Sequence, residues 1–290
     1  MNDESQVAGC IWEPDDRDYL VEDILGAEDY SNLPESFVME IEENNQGALQ
    51  ETAYACTCYS TYNALQASIE FARRMNIELD ALRGFRKQKE YGTFREGFGD
   101  ELRTAFKAVI DNGAYKEDGE SLGVEGYALL GYGHLIDPDR IRFYLAKGLG
   151  LVTSFDIRKN LDYKTSGYLK LTQESIVGGH AVAIIGYENG YFILANSYTD
   201  KWGKWRNGTF RVKEEDLKVL KGIYVLYPKP KANMLYNDVS ELAPHFAEIK
   251  KVKDLGLMTG YPDGAFRPNV SMTREEVAIV LARLAEKLGL

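Results

Sequence analysis

Two short apolar runs, HAVAIIGY over residues 180–187 and YFILANSY over residues 191–198, are separated by Glu188-Asn189-Gly190. Their Val, Ile and aromatic content and the Asn-Gly between them predict a hairpin of buried strands. A third strand is predicted over Leu149–Ile157. Helical spacing appears at Leu102, Ala105, Phe106, Val109 and Ile110, with Asn112-Gly113 as a stop, and again at Ile141, Tyr144 and Leu145. Glu51–Arg74 contains no Gly or Pro, and its first half is small or apolar nearly all round, which predicts a buried central helix capped by Thr52. Asp156–Gln173 is polar and reads as a loop beside the hairpin. Trp12–Tyr19 and Leu33–Phe37 flank an acidic stretch that reads as an irregular arm. Tyr227-Pro228-Lys229-Pro230-Lys231 reads as a stiff linker. A helix, a Gly-rich turn and a helix opened by Thr273 with Glu276 three residues on follow it.

Composition bounds the class. The 290 residues, 44% hydrophobic and 12% aromatic, suffice for a folded main domain with something appended. A net charge of -11 argues against nucleic-acid binding. No apolar run has membrane-spanning length, and the acidic start Met1-Asn2-Asp3-Glu4 predicts no signal peptide. Three cysteines, Cys10, Cys56 and Cys58, cannot all pair, and no metal-ligand cluster or cofactor motif accompanies them. Cys56 and Cys58 read as small buried residues on a helix.

The hairpin brings His180 at the head of one strand near Asn196 at the end of the other. An imidazole held by a neutral amide is oriented for proton transfer without being fixed as imidazolium. His180-Ala181-Val182, Gly186-Tyr187, Asn196-Ser197-Tyr198, Trp202-Gly203 and Asn207-Gly208 with Phe210 together resemble the His and Asn segments of the papain-like cysteine peptidases, bacterial type. Tyr198 departs from the tryptophan usual there. The resemblance implies a peptide or protein substrate and a two-lobed α+β fold, with a central-helix lobe and a β-barrel-like lobe. It also implies a thiolate nucleophile at the start of the central helix, and an oxyanion donor supplied by Gln46 of Asn45-Gln46-Gly47. The register that best fits the family's helix places Ala53 in the nucleophile position, where cysteine is expected; counting strictly from Gln46 places Thr52 there. Cys56 and Cys58 then lie further along the expected helix, among backbone N–H groups already committed to it. The implied function is peptide hydrolysis through a Cys-His-Asn site, inactive in this chain because of Ala53. The alternative is a pseudoenzyme that binds peptide or cell wall. His134 reads as a loop residue.

After the linker, Gly260-Tyr261-Pro262-Asp263-Gly264-Ala265-Phe266-Arg267-Pro268 and Thr273-Arg274-Glu275-Glu276 resemble a surface-layer homology repeat. That resemblance implies anionic cell-wall polysaccharide as a ligand, with Arg274 contributing, and an extracellular or cell-surface location. One repeat where such proteins use three leaves trimer formation, another ligand or packing against the peptidase domain open. The domains expected are an arm at 1–32, a peptidase domain at 33–227, a linker at 228–235 and a helical module at 236–290.

Overall fold

The structure, a computed structural model, describes residues 10–11, 30–39, 54–73, 77–198, 203–205, 207–228, 235–236, 238–239, 245–261, 264–268 and 270–289. The chain divides into two compact units, Met1–Phe71 with Met75–Lys229, and Ala72–Arg74 with Pro230–Leu290.

The first unit is built on one buried helix and one sheet. Helix α1 runs over Cys56–Arg73, and every residue from Ala55 to Ile69 is buried. Its hydroxyls are absorbed within the helix, Thr61 Oγ1 donating to the Thr57 carbonyl at 2.7 Å and Ser68 Oγ to that of Ala64 at 2.8 Å. The helix begins later than the sequence pattern predicts: Tyr54 is in a turn with φ 65° and Ala55 is not helical. The Ala55 carbonyl accepts from the Cys58 and Tyr59 N–H groups, so the N–H groups of Cys56 and Thr57 have no earlier carbonyl in the helix to bond. Thr52, the expected cap, lies outside the described residues.

Helix α2, Ala81–Lys89, opens on Asp80, whose carboxylate accepts from the Arg83 N–H at 2.8 Å. It crosses α1 at Gly84, where a Cβ would stand 2.3 Å from the Tyr62 hydroxyl. Gly84→Ala is expected to cost about 1–3 kcal/mol through overpacking, read as a lower urea midpoint. An unchanged midpoint would mean that the Tyr62 ring yields. From the same helix Gln88 Nε2 donates to Thr57 Oγ1 at 3.1 Å and to the buried Asp100 at 2.9 Å, tying the first turn of α1 to the segment around Asp100.

Helices α3, Leu102–Asn112, and α4, Pro138–Ala146, follow the predicted spacing. Gly113, φ 77°, ends α3. The principal sheet holds β6 (Val124–Tyr132), β12 (Leu220–Pro228), β7 (Leu151–Arg158), β9 (Ile176–Glu188), β10 (Tyr191–Ala195), β11 (Thr209–Lys213) and β8 (Tyr168–Leu169), in that spatial order. Strand β2, Phe37–Val38, adds to β9. The predicted hairpin is β9–β10, and Asn189 and Gly190 both take positive φ, 50° and 76°, as a tight two-residue turn requires. One extra β9 residue, Ile185, bulges between the pairs Ile193↔Gly186 and Leu194↔Ile184, and its carbonyl accepts from the Met39 N–H at 2.9 Å.

Asp156–Gln173 differs from the predicted loop. Strand β7 continues to Arg158, a one-turn helix α5 occupies Tyr163–Ser166, and β8 pairs in parallel with β11. The cause is aromatic: Tyr163 is buried against Phe155 and Phe210, at centroid distances of 5.4 and 5.0 Å. Two-residue strands β1, Cys10–Ile11, and β3, Asp100–Glu101, pair in parallel; β4, Ala114–Tyr115, and β5, Ser121–Leu122, make a small antiparallel ladder.

The second unit contains α6, Phe246–Asp254, and α7, Arg274–Leu288. Its core is Tyr236, Val239 and Ile249 with Leu235, Phe246 and Phe266 against them. Asp238 accepts from the Phe266 and Arg267 N–H groups at 2.7 and 2.6 Å, closing the Gly-rich turn onto the unit's start. The predicted capping box is present: Glu276 N–H donates to Thr273 Oγ1 at 3.2 Å and Thr273 N–H to Glu276 Oε2 at 2.7 Å. Thr273→Ala is expected to cost about 1 kcal/mol, seen as faster amide exchange in the first turn of α7. Unaltered exchange there would deny the cap its role.

Candidate active site

His180 and Asn196 are brought together by the β9–β10 hairpin, both fully buried, with His180 Nε2 2.8 Å from Asn196 Oδ1. The Ser197 backbone N–H also donates to Asn196 Oδ1, at 2.8 Å. A backbone N–H can only donate, so the shared atom is the amide oxygen, and the imidazole nitrogen facing it carries the proton. Nδ1 of the neutral ring therefore holds the lone pair, and it has no hydrogen-bond partner among the described residues. The ring is clamped: Tyr198 stacks on it at 5.7 Å with 9° between planes, and Phe155, its neighbour across the β7–β9 ladder, meets it edge-on at 5.6 Å. Tyr198 thus covers one face of the His180 ring. Burial pulls the His180 pKa down to about 4, against the opposing hydrogen bond to Asn196.

The thiol that meets this strand belongs to Cys56. It is the first residue of α1, it is buried, and its sulfur faces the backbone N–H of Ala181, the residue after His180. Burial pushes its pKa up to about 12, while N–H groups of Ala181, Thr57 and Cys56 itself favour the anion. Cys58 lies deeper in the helix, its thiol donating to the Ala81 carbonyl at 3.5 Å. Its burial, and then Asp100 and Asp80, hold it well above the ordinary thiol value. Ala53 and Gln46 lie outside the described residues. His134 is an exposed turn residue stacked on Tyr132, with ring centroids 6.1 Å apart.

The late start of α1 is what the sequence reading missed. A helix assumed to begin at Glu51 buries the Cys56 N–H inside it, whereas a helix beginning at Cys56 leaves that N–H and the next one free to face an anion.

Beside Gly178 and Gly179 a pocket of about 350 Å³ opens between Phe98, Ile176 and Val177, with Ser154, Phe155 and the Asp156–Lys221 ion pair (2.8 Å) around it. Among the described residues no group of three His, Cys, Asp or Glu is placed to hold a metal ion. No described helix is long and apolar enough to cross a membrane.

Helix α1 against an antiparallel sheet whose hairpin presents a buried imidazole–amide pair defines the papain-like cysteine protease fold. Residues 136–224 match the family model for papain family cysteine protease, and residues 235–278 that for the S-layer homology domain, as the sequence resemblances imply. Over 95 residues, 31% of this chain and 51% of the relative, the chain is 36% identical to cathepsin B-like cysteine proteinase 3 of Ostertagia ostertagi. Over 82 residues, 27% of each protein, it is 35% identical to cathepsin B-like CP3 of Giardia intestinalis. The chain therefore spans about half or less of the curated relatives it matches. Among solved structures it resembles xylellain, a cysteine protease from Xylella fastidiosa, with a TM-score of 0.57 and 18% identity, over 77% of this chain and 96% of that one. It also resembles procathepsin B S9 from Trypanosoma congolense, with a TM-score of 0.61 and 14% identity, over 78% and 88%.

Proposed function

We propose that this chain is a cysteine peptidase that hydrolyses peptide bonds, with Cys56 as its nucleophile. The observation that carries the reading is the His180 lone pair at Nδ1, fixed by Asn196, on the strand whose next residue, Ala181, turns its N–H to the sulfur of the helix-terminal Cys56. His180 takes the thiol proton as the sulfur attacks the carbonyl carbon of the scissile peptide, and later returns it to the leaving amine. Asn196 keeps the imidazole in the productive tautomer. The Cys56 N–H, with the Gln46 amide, stabilises the oxyanion. Water then attacks the thioester carbonyl with His180 again as base, releasing the acid and the thiol. With the thiol near 12 and the imidazole near 4, the resting pair is thiol and neutral imidazole, so proton transfer accompanies attack.

The second reading keeps Ala53 in the nucleophile position and the chain inactive, either as a cysteine peptidase lacking its thiol there or as a non-catalytic peptide- or wall-binding protein. Complete burial of His180 and Asn196 favours it. Iodoacetamide labelling at pH near 7, mapped by mass spectrometry, separates the two. Stoichiometric labelling of Cys56 with matching loss of peptide hydrolysis supports Cys56 as nucleophile; no hydrolysis by the parent chain, with hydrolysis gained in Ala53→Cys, supports a peptidase lacking its thiol at position 53, and no hydrolysis by either supports the binding protein.

The surface-layer-type unit supports cell-surface attachment as the location of this activity, through anionic wall polysaccharide. Arg274, exposed in the first turn of α7, is the residue offered for that contact. The domain division that goes with this reading is a peptidase domain at 33–227 and a binding module at 236–290.

A further inference from the structure

The pocket beside Gly178 and Gly179 does not end at its own rim. Phe155, Asp156 and Lys221, which line it, also line a shallower groove of about 120 Å³ on the far side of the Asp156–Lys221 ion pair. The two depressions form one path along β7, and that path begins at the His180 rung: Phe155 is the ladder partner of His180, and Arg158 that of Ile176. Arg158 lies three residues beyond Phe155, about 10 Å at the rise of an antiparallel strand. A peptide lying over Gly178 and Gly179 with its reacting bond at His180 covers that span with about three extended residues.

The path changes character along its length. Near His180 its wall is apolar and open: Phe98, Ile176 and Val177 are 67, 55 and 59% exposed. One exposed apolar side chain is ordinary, but three around a single concavity offer a seat for an apolar residue. Farther on, four cations, Arg158, Lys170, Lys218 and Lys221, line the groove with one carboxylate, Asp156. Lys221, at 2.8 Å, and Arg158, at 3.6 Å, share that carboxylate, so positive charge is left over even within the trio. Lys170, just past the end of β8, and Lys218, in the 3-10 turn Glu214–Val219, are both exposed. Glu215 and Asp216 lie in the next depression with Lys170 and Lys213, and Glu215 is paired with Lys213 at 2.6 Å. This excess of cations stands on a chain whose net charge is -11, which makes it a local field opposed to that of the whole.

We propose that this path recognises an acidic segment of a peptide substrate, with an apolar side chain in the pocket beside Gly178 and Gly179 and aspartate or glutamate, about two to four residues from the scissile bond, over Arg158, Lys170 and Lys218. The apolar seat favours a peptide over a wall polysaccharide, which brings negative charge but no apolar side chain to bury there. Acidic segments are drawn to the one part of the cleft where the charge of the chain does not repel them. The gain weakens with salt, because both lysines are exposed. The position of the scissile bond rests on the peptidase reading; the binding of the acidic segment does not.

The test uses the full chain and two fluorogenic peptide series, identical except that Asp and Glu in one are Asn and Gln in the other, with the variable residues placed on either side of an apolar one. On one of those sides kcat/KM is expected to be about ten-fold higher for the acidic series at low ionic strength, and only about two-fold higher in about 0.5 M salt. Lys170→Gln combined with Lys218→Gln lowers the acidic series about five-fold more than the neutral one, with the urea midpoint unchanged. Fluorescence anisotropy of a labelled acidic peptide with Cys56→Ala reads the binding apart from hydrolysis. Equal kcat/KM for the two series, or acidic-peptide binding that the double lysine change does not weaken, overturns the proposal. Displacement of the peptide by polygalacturonate at equal charge concentration, as effective as by the peptide itself, gives the groove to a polysaccharide and overturns it too. Lysine-dependent binding of the acidic peptide with no hydrolysis by the parent chain supports the acidic site and overturns the peptidase reading, so the two fail separately.

Discussion

Cys56→Ala lowers kcat/KM for an unfolded peptide substrate by on the order of 10⁴-fold or more, as expected when the nucleophile of an acyl-transfer site is removed. The expectation follows from the start of α1. At its first turn, the Cys56 and Thr57 N–H groups lack helical acceptors and face the sulfur rather than a preceding carbonyl. No other described thiol has this placement, since Cys58 donates into the Ala81 carbonyl and is walled by acidic neighbours. Because Cys56 sits in a fully packed helix, Cys56→Ser is the paired variant. It keeps the volume and removes the thiol's nucleophilicity, and circular dichroism confirms that both variants fold. Ala53→Cys added to Cys56→Ala leaves activity at the background level if Cys56 is the nucleophile. Rescue by that double change would transfer the role to position 53.

Between pH 7 and pH 4, the unfolding free energy of the parent chain falls by about 3 kcal/mol more than that of His180→Gln. The imidazole is buried beside Phe155 and Tyr198, and burial lowers its pKa from 6.5 to about 4. The unfolded chain binds the proton through that interval and the folded chain does not. The associated stability is thus complete above pH 6.5, declines as the solution is acidified, and is gone near pH 4. Urea midpoints of both proteins across this range isolate the imidazole, because the carboxylates titrate alike in each. Parallel curves would place the proton on His180 in the folded chain at mild acidity.

His180, Asn196 and the turn between their strands were legible in the sequence because each depends on local chemistry. Asn189-Gly190 admits the positive φ of a tight turn, and the flanking apolar runs have strand length. The capping box at Thr273 and Glu276 was legible for the same reason. Less legible were features set by distant partners. The run over Val124–Tyr132 contains Gly126 and Gly131, which interrupt a strand pattern, and becomes β6 only because β12 pairs along it. Tyr163 turns a polar segment into helix α5 by finding Phe155 and Phe210. The beginning of α1 was misplaced because helix propensity is continuous through Glu51–Arg74, whereas Tyr54 adopts a left-handed backbone that propensity does not anticipate.

The bulge at Ile185 has a consequence in parity. Side chains alternate across a strand, so two residues on paired strands share a face only if the count between them is right. With the bulge, extending the pairing Ala195↔Ala183 by one sets Asn196 across from Val182, on the face that also carries His180. If the pairing Ile193↔Gly186 ran on unbroken, Asn196 would fall opposite Ala183 and turn its amide away from the imidazole. The hairpin can therefore lengthen or shorten at Asn189-Gly190, where neither strand changes its count. It cannot lose one residue at position 185 and still keep its imidazole–amide pair, even though every hydrophobic residue would remain in a plausible strand.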